Sequence, residues 1–250
     1  MADFVLDVRV RTPNVLADQF QNVEHLPDGT MGLLFRIMAG SSESRGRSGD
    51  LSVVGTRTRA LYKTVEPVPL AVFVRFRPGA ASAMVGVPAN ELTNRVVSLE
   101  DLWGSEALRL RDTLLSARGI PAILERLQRT LCSRTARLDE PRSTHLVRRA
   151  IRLIEQTATP VRVTQLGADL GVTTRHLSRV FRAAVGIGPK EFSRVVRFQR
   201  AARSAACERS WTRVAVDAGY YDQAHMIHDF QELAGTTPRA FMERASIESN

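Results

Sequence analysis

Along LAVFVRFR, residues 70–77, apolar Val72, Val74 and Phe76 alternate with Phe73, Arg75 and Arg77, a period of two that predicts a strand with one buried face. DLSVVGT, ALYKTV and PLAVFVRF are short, β-branched or aromatic, and bounded by Gly and Pro, while HLPDGTMGLLFRIM sets a Pro-Asp-Gly turn ahead of an apolar run. The first hundred residues therefore predict antiparallel β structure. From about Ser98 the period lengthens. SLEDLWGSEALRLRDTLLSA and IPAILERLQRTLCSRTARL carry Leu and Ile at helical spacing with Arg and Glu between, which predicts two helices that close the first domain or, for one of them, form a dimer surface. The polar stretch RLDEPRST, residues 137–144, contains Pro141 and marks the boundary, giving domains 1–138 and 139–250. Beyond it the pattern is helical throughout, so the chain is an α+β domain followed by an all-α domain.

The helical part repeats itself. Leu166, Asp169 and Gly171 match Val214, Asp217 and Gly219 at an offset of 48, and Leu177, Phe181, Gly186, Pro189 and Phe192 match Met226, Phe230, Gly235, Pro238 and Phe241 at an offset of 49. One residue is inserted in the second turn. Each unit is a short helix, a Gly-containing turn and a longer helix ended by Gly and Pro, the outline of a helix-turn-helix. The first unit spans about 164–185 and the second about 212–234, with a connecting helix at about 189–206.

With Thr173 as cap, Leu177, Val180, Phe181 and Ala184 share one face of the first unit's longer helix, and Arg175, Ser178, Arg179 and Arg182 line the opposite stripe. The apolar stripe is core. Arginines on the other stripe suit the major groove, where a guanidinium forks onto guanine edges or clamps phosphate. In the second unit Asp222 is the cap; Met226, Phe230 and Leu233 point inward, and Ala224, Ile227, His228 and Gln231 point outward. Ala224 and Ile227 suit contact with thymine methyls.

Charge agrees with this division. Residues 1–140 hold 18 basic against 16 acidic side chains, a balance of +2, whereas residues 141–250 hold 17 against 10, a balance of +7. The excess points to a polyanion as the partner of the second domain. No run of eighteen apolar residues and no signal-peptide pattern occurs, so the expected location is the cytoplasm, away from membrane. Cys132 and Cys207 match no zinc or redox spacing and read as ordinary thiols. The stretch DQAHMIHDF, residues 222–230, puts two acids and two histidines in nine positions. Its histidines are three apart rather than the four of a zincin helix, with no Glu between them, so neither a metal nor any other cofactor is expected. His225 is expected to bond Asp222 or Asp229, or to touch a phosphate. No P-loop, nucleophile elbow or Cys pair is present, and the chain reads as a binding protein rather than an enzyme.

LGADLGVTTRHLSRVFRAAVGIGPKEF and AGYYDQAHMIHDFQELAGTTPRAF, with a helix between them, resemble the DNA-binding domain of the AraC/XylS family of bacterial transcription regulators over residues 145–244. The resemblance implies two helix-turn-helix units held by a linker helix, with both recognition helices in major-groove segments on one face of the duplex. It carries a DNA-facing role to Arg175, Ser178 and Arg179, and to Gln223, Ala224 and His228; Thr174, Arg182, His225 and Ile227 complete the expected contact set. His228 stands where the family usually has Arg, and Ile227 where a polar residue is common. The first domain, with its PDG turn and the RFRPGAA segment at 75–81, is similar to the cupin-like sensing domains of that family. Arg75 and Arg77 are the candidate pair for an anionic effector. The expected function is a sequence-specific, effector-responsive regulator of transcription whose partners are promoter DNA, RNA polymerase, a small molecule and a second copy of the chain. The alternative is a ligand-independent regulator whose first domain only dimerises or binds a protein.

Overall fold

In a computed structural model of the protein, the structure describes residues 4–12, 21–38, 47–65, 68–136, 142–157, 159–205 and 210–248. Strands β1 (Val5–Arg11), β2 (Gln21–His25), β3 (Gly32–Met38), β4 (Ser48–Val54), β5 (Leu61–Val65), β6 (Leu70–Phe76) and β7 (Val96–Ser98) form two antiparallel sheets. Five of them run in the order β1-β6-β3-β4-β7, and β2 pairs with β5. Alternation acts as the sequence pattern implies: Leu70, Val72, Val74 and Phe76 of β6 are buried while the residues between them are half-buried. Across β3 and β4 the register sets Arg36 opposite Asp50, and the two form an ion pair, Nε to Oδ1 at 2.9 Å.

Helices α1 (Ala81–Val85), α2 (Leu99–Trp103), α3 (Ser105–Leu115) and α4 (Ile120–Thr135) cover this sheet. Met84, Leu99, Leu110, Leu114, Ile123, Leu127 and Leu131 join Phe35, Leu51, Val72 and Phe76 in one core. The first of the two anticipated helices is thus two helices. Gly104 divides α2 from α3 with φ 55 and ψ −130, a backbone conformation that a side chain disfavours. Strand β7 and helix α1 are too short to leave a periodic signal and were not anticipated.

The second half is α5 (Arg142–Gln156), α6 (Val163–Asp169), α7 (Thr174–Val185), α8 (Pro189–Ser204), α9 (Trp211–Asp217), α10 (Gln223–Ala234) and α11 (Pro238–Glu248). It has two cores. Val147, Ile151, Leu166, Leu177, Phe181, Phe192 and Val195 form one, and Phe198, Ala201, Val214, Met226, Phe230, Leu233 and Phe241 form the other. Together the halves give the α+β architecture, with an antiparallel first domain. The proposed boundary at 137–144 lies mostly outside the described residues, as does Cys207. No helix among the described residues is long and apolar enough to cross a membrane.

The end of β2 carries a titratable group. His25 packs edge-on against Phe73, with ring centroids 5.6 Å apart. Burial first, then the charge of Arg57, push its imidazole below the ordinary 6.5. The folded chain therefore resists a proton that the unfolded chain accepts. This contribution to stability is complete above about pH 6.5 and drains away as pH falls from there through the lowered folded value. Melting temperatures of wild type and His25→Gln should differ at pH 8 by a constant amount and draw together between about pH 6.5 and 5; parallel profiles would dismiss the effect.

Candidate nucleic-acid interface

Both longer helices start on a side-chain cap. Thr173 Oγ1 accepts from His176 N at 3.2 Å, and Asp222 Oδ1 accepts from His225 N at 2.7 Å. Both end on a left-handed glycine, Gly186 with φ 96 and Gly235 with φ 66. Caps and glycines thus fix the same length for α7 and α10, 12 residues each.

On α7, Leu177, Val180, Phe181 and Val185 are buried. Thr174, Arg175, Arg179 and Arg182 are exposed and Ser178 is half-buried, so the predicted stripe stands together on one open face. Arg179 Nη2 lies 3.4 Å from His176 Nδ1 at its edge. On α10, Ala224, His225 and His228 are exposed, while Gln223 and Ile227 are half-buried. The first helix therefore offers three guanidinium groups, and the second offers two imidazoles, an amide and small apolar surface.

Long-range partners surround these stripes. Of the two acids expected to bond His225, Asp222 does so, accepting from its backbone N–H, while the ring packs edge-on against Tyr220, centroids 5.5 Å apart. Asp229 is buried on the inner side of α10, where Arg194 Nε of α8 donates to its Oδ1 at 2.6 Å and Arg197 Nη2 lies 3.5 Å from its Oδ2. The carboxylate beside His228 is Glu232, 3.8 Å away and one turn on. The Arg194 hydrogen bond and charge hold Glu232 below the ordinary carboxylate range, so it remains an anion at His228's side. Arg75 gives its guanidinium to Asp7, at 2.5 Å, and to Asp28, while β6 ends at Phe76 and Arg77 lies past the strand.

An exposed aromatic residue also escaped the sequence reading. The turn hydrogen bonds Val172 N to Gly167 O and Tyr220 N to Ala215 O match at an offset of 48, whereas the caps Thr173 and Asp222 match at 49. Tyr221 is therefore the inserted residue, and it is 91% exposed at the start of α10. The jump in offset was the available signal. Among the described residues no group of three or more His, Cys, Asp or Glu is placed to hold a metal.

Residues 166–244 match the model of a helix-turn-helix domain. The chain carries an AraC-type helix-turn-helix domain. Ahead of this AraC-type domain, residues 9–98 match a domain of unknown function (DUF6597). The bifunctional transcriptional activator/DNA repair enzyme Ada of Escherichia coli is 33% identical over 92 residues, 37% of this chain. The match spans 26% of Ada's length. A probable AraC family transcriptional regulator from Rhodopseudomonas palustris is 26% identical, with 40% of this chain and 97% of that one covered and a TM-score of 0.36. ToxT from Vibrio cholerae is 8% identical, with 97% and 98% covered and a TM-score of 0.46.

Within the AraC-type domain, Asp229 ties α10 to α8 from inside. Tyr220 is buried beside it, and burial, then the Asp229 charge, keep that hydroxyl protonated. Removing the carboxylate leaves Arg197, whose side chain is 10% exposed, without its anion, while Arg194 keeps Glu232. Asp229→Ala should destabilise the protein by about 2–4 kcal/mol and Asp229→Asn by about half as much, read by urea denaturation.

Proposed function

We propose that the protein is a sequence-specific DNA-binding regulator of transcription that sets two helix-turn-helix units in successive major-groove segments and answers to a small-molecule effector. The observation that carries this reading is a pair of capped, equally long helices with open outward stripes at equivalent repeat positions. They lie in the half of the chain that holds the basic excess, within the AraC-type domain. Recognition helices read bases from their N-terminal residues. Thr174, Arg175, Ser178 and Arg179 occupy that end of α7, with Arg182 placed for phosphate. Gln223, Ala224, His225, Ile227 and His228 occupy it on α10, with Tyr221 just ahead of the cap. The first unit supplies charge and guanine recognition, and the second supplies shape and apolar contact. RNA polymerase is the further partner this role implies.

Effector binding is supported by a cavity of about 230 Å³ where the halves meet, lined by Thr58, Arg59, Ile187, Arg194, Glu232 and Leu233. It takes the place of the Arg75/Arg77 pair as the candidate site. One observation favours the ligand-independent alternative: β1, at the edge of its sheet, exposes Leu6, Val8 and Val10 by about 40% each, a surface suited to a second copy.

The full chain should bind promoter DNA with affinity that falls steeply as salt rises, because bound phosphates release counterions. Arg175→Ala or Arg179→Ala should cost about 1–3 kcal/mol on the preferred sequence and relax selectivity at one base position. Tyr221→Ala should weaken binding to specific and random DNA alike, and His228→Arg should tighten it. Equal losses on both kinds of DNA for the two arginine variants would reduce them to phosphate contacts, and salt-independent or absent binding would overturn the reading. In a thermal-shift screen, a ligand whose effect Arg59→Ala abolishes should appear; a tight dimer with no ligand would favour the alternative.

A further inference from the structure

The last carbonyls of α7 and α10 have no intrahelical donor, because both helices stop at a left-handed glycine, and the next residues in line cannot supply one. An α-helix would satisfy Val185 O from residue 189 and Ala234 O from residue 238, and both of those are proline, which has no N–H. Val185 and Ala234 are the same position in the two units, at the offset of 49 that relates Gly186 to Gly235 and Pro189 to Pro238. Both orphan carbonyls are taken by hydroxyls of the first domain. Thr56 Oγ1 donates to Val185 O at 2.5 Å, and Tyr62 Oη donates to Ala234 O at 2.7 Å. Each unit has a second bond beside the first: Thr93 Oγ1 to Gly186 O at 2.8 Å, and Ala60 N to Leu233 O at 2.6 Å.

The donors are themselves joined. Thr56, Ala60 and Tyr62 belong to the stretch that leaves β4 and enters β5, and Asn94 ties Thr93 to it. Asn94 N donates to Thr56 O at 2.9 Å, its Oδ1 accepts from Thr58 N at 2.9 Å, and its Nδ2 donates to Thr58 Oγ1 at 2.8 Å. Asn94 holds a left-handed backbone, φ 61, to do so. Contact at the first unit is close: a Cβ on Gly186 would lie 2.9 Å from Thr93 Oγ1 and 3.0 Å from Thr56 Oγ1.

The geometry points to a clamp: the first domain holds both recognition helices by the same backbone position and so sets the spacing and angle of their DNA-reading ends. The grip is at the C-terminal ends, a helix length away from Arg175 and Gln223, so the domain acts as a ruler on the open interface rather than as a cover over it. This rests on the proposal that both helices contact one duplex. A full chain so held tolerates little change in the distance between its two contacted segments.

The test uses the full chain and its Thr56→Val, Tyr62→Phe double variant, which removes one hydroxyl from each grip. The probe is the tightest duplex that the wild type selects from a random-sequence library, and the same duplex with one base pair inserted between the two footprinted segments, a shift of roughly 3.4 Å. Wild type should lose at least tenfold in affinity on the insertion and the variant threefold or less. The same loss for both proteins overturns the clamp while leaving DNA recognition intact. Failure to select any duplex overturns the function itself. A general loss of stability lowers both affinities and leaves their ratio unmoved. Should the double variant fail to fold, the single variants Thr93→Val and Tyr62→Phe, each touching one unit, provide the same ratio.

Discussion

The second half of the molecule depends on one helix serving two cores. Phe192 and Val195 of α8 enter the first core, and Phe198 and Ala201 the second, so the boundary between them falls within a single turn. Aromatic contacts fix both sides. Phe181 meets Phe192 edge-on at 5.5 Å, and Phe198 meets Phe230 at 4.8 Å. A helix with a fixed rise and turn per residue then couples the two units across the five residues between Phe192 and Phe198, and the first domain's grip on the ends of α7 and α10 holds that relation.

That helix is held from outside as well. Gln199 Nε2 donates to Pro27 O at 2.6 Å, and Arg200 donates to Thr157 O at 2.7 Å and to Glu155 O at the end of α5. A Cβ on Gly29 would come within 2.4 Å of the Phe192 ring, so the Pro-Asp-Gly turn approaches α8 as closely as backbone can. Gly29 has φ 72, and both its conformation and this approach exclude a side chain. The turn that feeds β3 thus has a second role, seating the first domain against the helix that the two helical cores share.

Much of this was legible in the sequence, and the limits follow from distance. The repeat was visible because Leu177, Phe181, Met226 and Phe230 occupy equivalent core positions, and burial imposes the same residue types on both units. Strand β6 was visible because its two faces differ. Asp229 misled because its partners lie on α8, 35 residues back, so its neighbours in sequence suggested a surface role that its position in the fold denies. The ion pairs of Arg75 were hidden for the same reason, since Asp7 and Asp28 reach it from elsewhere in the chain. No local pattern marks Thr56, Thr93 or Tyr62, because a hydroxyl facing a distant carbonyl is indistinguishable from one facing water.

The two prolines that open α8 and α11 have a consequence for how such a protein is assembled over evolutionary time. They follow helices that stop at glycine, so the terminal acceptors of each helical unit stay unfilled from within the unit, and water satisfies those acceptors at little net cost when no other domain is near. The helical half therefore carries standing attachment points that do not presuppose a particular neighbour. Any domain that brings two hydroxyls to the right separation finds them ready. A DNA-reading module built this way is suited to recombination, because a new companion needs only a pair of donors on a stiff loop rather than a co-evolved apolar interface.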